Sequence, residues 1–182
     1  MTRTADCFRR PPAKTSTRAL LVLLVSLASS AAQAEGFAAK DLTTVADAAK
    51  AALGGDYAHR AEAARLTLTC PTCKGEPMID VLVSRQDDGT EARVRSGQTT
   101  VAQLEKLCRA KVDACRITEL KVAPAVGWLS AYPMGAAMAG STAVILRDGD
   151  LLTIRSLASD PAVAKRNAET LAASIAPKIV GR

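Results

Sequence analysis

Apolar positions along the chain follow three patterns: one dense run, short stretches of period two, and longer stretches of period three to four. The dense run is Ala19 to Leu27, preceded by the basic positions Arg3, Arg9, Arg10, Lys14 and Arg18 and followed by Ala32-Gln33-Ala34. Basic, apolar and small residues in that order describe a secretory signal peptide, with cleavage expected after Ala34. The run is shorter than the about 20 residues of a membrane-spanning helix, so no membrane span is expected after cleavage. Residues 1–34 are read as the leader and 35–182 as one exported domain.

Within that domain the periods predict the elements. Leu42, Val45, Ala49 and Leu53 recur at helical spacing, so a helix is expected over Asp41 to Leu53, stopped by Gly54-Gly55. Asp56 is placed to cap a short second helix over Tyr57 to Arg65, with a loop as the alternative. Leu66, Leu68 and Cys70 alternate with Thr67 and Thr69, the signature of a half-buried strand that runs into the turn Cys70-Pro71-Thr72-Cys73. Met78 to Arg85 reads as the next strand. Asp88-Gly89 then suggests a tight hairpin, with Thr90 to Arg95 returning as a third strand of a meander.

Thr100 and Gln103 form a capping box, opening a helix that turns Val101, Leu104 and Cys108 inward. Arg116 to Ala123 and Val126 to Tyr132 read as strands, and Met134 to Gly140 as a small apolar loop packed on the core, or a mobile lip over a groove. Ala143 to Arg147 and Asp150 to Arg155 flank Asp148-Gly149 as a hairpin. Asp160 caps a last helix with Pro161 in its first turn and Ala164, Ala168, Leu171 and Ile175 as its buried stripe; Pro177 ends or bends it. The expected class is α+β: an antiparallel sheet of hairpins packed against two or three helices. This last third, a hairpin turning at Asp148-Gly149 and a closing helix, resembles the end of the PsbP-like α/β sandwiches over about forty residues, which bears on the fold alone.

Charge changes the picture once the leader is set aside. The formal charge is +6, but the leader holds five basic residues and one acid, Asp6, leaving about +2 for the domain. Aromatic residues make up 3% of the chain, so it lacks both the basic stripe and the stacking platform of nucleic-acid binders. Nucleic acid is dropped as a partner.

The candidate chemistry lies in sulfur. Cys70, Cys73, Cys108 and Cys115 remain after the leader, which carries Cys7, is removed, and four cysteines allow three pairings. The local pairing, Cys70 with Cys73 and Cys108 with Cys115, is preferred because the second bridge ties a helix end to the strand after it. Cross-pairing closes longer loops and stabilises by up to about 4 kcal/mol. Thiol-disulfide exchange by Cys70 and Cys73 is one alternative, although Lys74-Gly75-Glu76-Pro77 is a poor helix start for activating a thiolate. A zinc site using all four cysteines is the other. Cys70-Pro71-Thr72-Cys73-Lys74-Gly75 looks like the zinc knuckle of ribbon domains, but Cys108 and Cys115 form no second knuckle.

His59 is the only histidine and is read as a solvated surface residue. Asp87, Asp88 and Glu91 are read as turn residues, with a hard cation as the alternative, and Glu119 and Asp80 make a carboxylate pair only if their strands align. No phosphate loop, nucleotide fingerprint or hydrolase elbow is present. The expectation is a periplasmic or secreted accessory or binding protein, held by disulfides, without cofactor and without a catalytic constellation in the sequence. Its candidate groove, for a protein partner or small apolar ligand, is formed by Trp128, Tyr132, Met134 and Met138.

Overall fold

The computed structural model describes residues 36–54 and 56–182; the expected leader, residues 1–34, and its expected cleavage site lie outside the described residues. Seven strands, β1 (Ala58–Glu62), β2 (Arg65–Thr69), β3 (Met78–Arg85), β4 (Arg116–Glu119), β5 (Val126–Met134), β6 (Met138–Arg147) and β7 (Asp150–Ala158), form one sheet. Its order is β1-β2-β3-β7-β6-β5-β4, with every pair antiparallel. The helices are α1 (Ala46–Leu53), entered through a 3-10 turn at Leu42–Val45, α2 (Thr90–Arg95), α3 (Val101–Arg109), α4 (Pro161–Ser174) and α5 (Ala176–Val180). The expected class holds, with five α-helices among the described residues instead of two or three.

The register explains the core. Leu66, Leu68, Ile79, Val81, Leu129, Ala143, Ile145, Leu152 and Ile154 project from one face of the sheet, and all are at most 2% exposed. Packed on that face are Leu42, Val45, Ala46 and Ala49 from the first helix, Ala168, Leu171 and Ala172 from α4, and Ile175, Ala176, Ile179 and Val180 at the C-terminus. The expected α4 stripe is therefore buried, and Asp160 caps the helix through the amides of Ala162 and Val163. Tyr57 enters the same core, where Asn167 of α4 donates to its hydroxyl at 3.0 Å. That bond satisfies the one polar atom the ring brings inside.

Three segments depart from the expectation. Tyr57 to Arg65 is not a second helix: Ala58–Glu62 pairs with β2 as an edge strand, exposed along most of its length, which removes the alternation that marks a half-buried strand. Thr90 to Arg95 is a helix instead of a third strand. Asp88 accepts from the Thr90 amide at 2.9 Å, Gly89 sits at φ 77°, and Glu91 pairs with Arg95 one turn on. The place beside β3 that a meander would fill is taken by β7, from the far end of the chain. Met134 to Gly140 is not a loop against the core: β5 and β6 extend through it and turn at Gly135-Ala136-Ala137, leaving Met134 45% and Met138 40% exposed.

Both sheet edges are protected against further pairing. β1 is short and carries Arg60 paired with Glu62 at 2.8 Å. Along β4 lies α3, whose Glu105 carboxylate accepts from the outward amide of Ile117 at 3.0 Å.

Candidate functional site

The four cysteines form two local bridges, Cys70–Cys73 and Cys108–Cys115, with Cα separations of 5.3 and 5.8 Å. Cys70 is fully buried at the end of β2, and its amide donates to the Pro77 carbonyl at 3.0 Å while the Cys73 amide closes the turn on the Cys70 carbonyl at 3.2 Å. No helix starts there. The loop docks on the start of α4, where the Ser159 amide donates to the Gly75 carbonyl at 2.9 Å and Lys74 pairs with Asp160 at 2.8 Å. The Lys74 hydrogen bond, the capping amides and the Lys74 charge hold the Asp160 carboxyl below its usual pKa. Lys74 is thus engaged by a carboxylate instead of facing a thiol, and the two features that activate a redox cysteine, a helix N-terminus and a free cation, are missing at Cys70.

The four sulfurs are not brought together. The first bridge precedes β3 and the second precedes β4, four strand intervals away, a separation of about 20 Å against the about 2.3 Å of a zinc–sulfur bond. Among the described residues no group of three or more His, Cys, Asp or Glu is arranged to hold a metal ion. The same spacing separates Asp80 from Glu119, so they form no carboxylate pair. His59 is exposed on β1. Asp87 pairs with Arg85, Asp88 takes Gln86 and the Thr90 amide, and Glu91 takes Arg95 and the Gly149 amide, so each acid of that turn has its own partner.

Trp128, Tyr132, Met134 and Met138 all project from the face of the sheet opposite the core, but they do not line one groove. Trp128 lines a cleft of about 680 Å³ between the α2–α3 connection and the β4–β5 turn, walled by Val94, Val101, Leu104, Val122 and Val126. Arg95, Glu119 and Lys121 supply its polar groups. Arg95 also closes one end, donating to the Pro124 carbonyl at 3.0 Å. Tyr132 and Met138 line a second cavity, of about 410 Å³, at the β5–β6 hairpin tip. Trp128 and Met134 are six positions apart, about 20 Å along a strand. Between the two, the Tyr132 ring lies over Gly140, where a Cβ would meet it at 2.5 Å, and its hydroxyl hydrogen-bonds with Thr142 at 3.0 Å.

Two carboxylates are buried, which the sequence reading did not foresee. Asp80, 3% exposed, is held on the face opposite the core by Arg65 at 2.8 Å, Thr67 at 2.8 Å and Arg155 at 3.5 Å. Asp150, 1% exposed, accepts from the Phe37 amide at 2.8 Å and pairs with Lys40 at 2.7 Å and Arg85 at 3.1 Å. For each, burial is the largest single influence and raises the pKa. The hydrogen bonds and opposite charges together outweigh it, and both carboxyls titrate below the usual range. These are structural anchors: strands β2, β3 and β7 meet at Asp80, and the segment entering the domain is fastened at Asp150. Their only sequence signal was an acid inside an apolar alternation.

The two disulfides fit a disulfide-stabilised protein of an oxidising, non-cytoplasmic compartment, and no helix among the described residues is long and apolar enough to cross a membrane. No known protein-family model matches the chain, and no curated protein matches it.

Proposed function

We propose that this protein is a non-catalytic accessory or binding protein of the periplasm or the secreted space, taking a small apolar ligand or an apolar segment of a protein partner in the cleft at Trp128. The cleft carries the reading: about 680 Å³ lies within the about 300–1,000 Å³ of small-ligand sites, and its wall of valine, leucine and one indole with a few charged groups is their usual make-up. The site is built on the sheet and on α3, whose capping box at Thr100 and Gln103 fixes the helix start at the cleft wall.

Trp128 is the only tryptophan in the chain, so its emission reports this cleft alone. Anilinonaphthalene sulfonate is expected to bind with energy transfer from Trp128, and Leu104→Asp, which places a charge in the wall at a half-buried position, to weaken that transfer at least ten-fold. Absence of transfer, or transfer unchanged in the variant, defeats the proposal. The sulfur alternatives are separated by alkylation and mass spectrometry: two bridges resistant to mild reductant support the binding reading, a readily reduced Cys70–Cys73 supports thiol exchange, and zinc bound by alkylatable thiols supports the metal reading.

A further inference from the structure

The two turns at the ends of β6 differ in kind. The β6–β7 turn is Asp148-Gly149, where Asp148 pairs with Arg147 at 3.4 Å. The β5–β6 turn carries no polar side chain. From Tyr132 to Gly140 the only polar side-chain atom is the Tyr132 hydroxyl, and Thr142 already engages it. Pro133 to Met138 are nevertheless all exposed, Met134 at 45% and Met138 at 40%.

The end of this hairpin is a finger. β4 pairs with β5 only as far as Ala131, and β7 with β6 only as far as Ala139, so Met134 to Met138 project past both neighbouring strands. The register puts Met134 and Met138 on the face opposite the core and Pro133 on the core face, so the finger is apolar on both sides and at its turn. A partner that docks on a sheet face needs one apolar side. A finger apolar all round fits a medium that surrounds it. Its ladder is closed through the Met134–Met138 pair, and only Gly135-Ala136-Ala137 lies beyond it. Such a backbone suits shallow entry into a lipid interface, where water still reaches the turn, and not the hydrocarbon core.

The nearby charge matches that depth. Arg116 is exposed and pairs with Ala131, three positions along β5 from Met134, about 10 Å. It is the only charged residue lining the hollow at the base of the finger. With the tip about 5–10 Å into the boundary of head groups and acyl chains, Arg116 stands at the level of the phosphates and Tyr132 between the two. The Arg116 guanidinium uses one donor on the Cys115 carbonyl, at 2.8 Å, and its others remain for phosphate oxygens. Asp160, the acid nearest the hollow in sequence, is engaged by Lys74 and by the Ala162 amide.

We propose that the β5–β6 hairpin is a membrane-surface finger: Met134 to Met138 enter the interface of an anionic lipid bilayer while Arg116 meets the phosphate head groups. This contact does not span the bilayer and stands independently of the Trp128 cleft.

The test uses the oxidised exported form, residues 35–182, which holds the whole sheet and core, with its methionine methyl groups labelled with carbon-13. It is mixed with vesicles of phosphatidylglycerol and phosphatidylcholine carrying a nitroxide on the acyl chain. The protein is expected to sediment with the vesicles. The nitroxide is expected to attenuate the Met134 and Met138 methyls more than that of Met78, which is 40% exposed but lies on β3. Met134→Glu combined with Met138→Glu, both at exposed positions, is expected to weaken binding about ten-fold or more. Arg116→Gln is expected to weaken it about five-fold, and only where phosphatidylglycerol is present. Ala137→Trp, at the exposed turn, is expected to tighten binding even if the charged variants do not fold. Absence of sedimentation, as when the finger enters a pocket in a protein instead, overturns the proposal. Equal attenuation at Met78, which signals unspecific coating, also overturns it, as does undiminished binding by the double variant. Tip methyl shifts that follow protein concentration without lipid overturn it too, because a second copy then covers the finger.

Discussion

Helices α3 and α4 flank the same sheet but are held to it by different forces. α4 buries Val163, Ala164, Ala168, Leu171 and Ala172 and packs across β5, β6 and β7. α3 buries none of its residues fully, and its Leu107 is 66% exposed. What holds α3 is the bridge from Cys108 to Cys115, the Glu105 bond to the edge amide of Ile117, and the partial burial of Val101 and Leu104. The covalent link thus sits where apolar packing is thinnest. The other bridge, Cys70–Cys73, lies in a loop already fixed by backbone bonds and by Lys74, and reinforces a region that packing also secures.

That contrast is breakable. Leu171→Ala, at a fully buried position, is expected to cost about 2–5 kcal/mol in denaturant unfolding of the whole domain, with or without reductant. Replacing Cys108 and Cys115 together by alanine removes a bridge of sequence separation 7, worth about 2.5 kcal/mol by loop closure. Hydrogen exchange should then rise across α3 while α4 amides stay protected, and the Trp128 emission should move. Equal loss of protection in α4 would falsify the contrast. Removing Cys70 and Cys73 in the same way is expected to cost about 2 kcal/mol at most, because the loop is shorter, with sequence separation 3. Its exchange pattern should scarcely change. Thr100→Ala leaves the Gln103 amide without its cap and is expected to lower stability by about 1 kcal/mol, read as faster exchange in the first turn of α3.

The smallest effect at neutral pH concerns the anchors. Asp80 and Asp150 have carboxyls held below the ordinary value, so the unfolded chain takes up their protons first as pH falls. The stability they contribute is complete above the ordinary carboxylate value, about pH 4, and drains away as pH drops through the depressed values. Urea titrations between pH 7 and pH 2 should show a flat upper limb and a falling lower one, with the fall reduced in Asp150→Asn. A fall centred near pH 6 points away from these carboxylates.

Where the sequence was readable, one side of an element faced water and the other faced the core. Leu66, Leu68 and Cys70 against Thr67 and Thr69, and the α4 stripe from Ala164 to Ile175, have that two-sided character and were placed correctly. The bridges were legible for a related reason: sulfur pairs three and seven residues apart close on themselves without help from the rest of the fold. β1 could not be read, because an edge strand exposed on both faces has no period to show. α2 was misread because Thr90, Ala92 and Val94 alternate with charged residues, whereas its start is decided by Asp88 and Gly89 and its place beside β3 is taken by β7. The candidate site was legible in its residues and not in its division. Trp128 and Met138 share a sheet face, but only the fold shows that α3 builds a wall at Trp128 and that Met138 stands apart at the hairpin tip.

The fastening at Asp150 has a topological consequence. It sets Phe37 beside the β6–β7 turn, the Ala39 amide donates to the Ile179 carbonyl at 3.1 Å, Gly181 rests against Ala38, and Arg147 donates to the Val180 carbonyl at 2.6 Å. The first described residues and the last are therefore neighbours on the same side of the domain. A short splice joining them, with a new opening cut at the exposed Gly135-Ala136-Ala137 turn, should yield a circular permutant that still folds, since the sheet order does not depend on where the polypeptide starts.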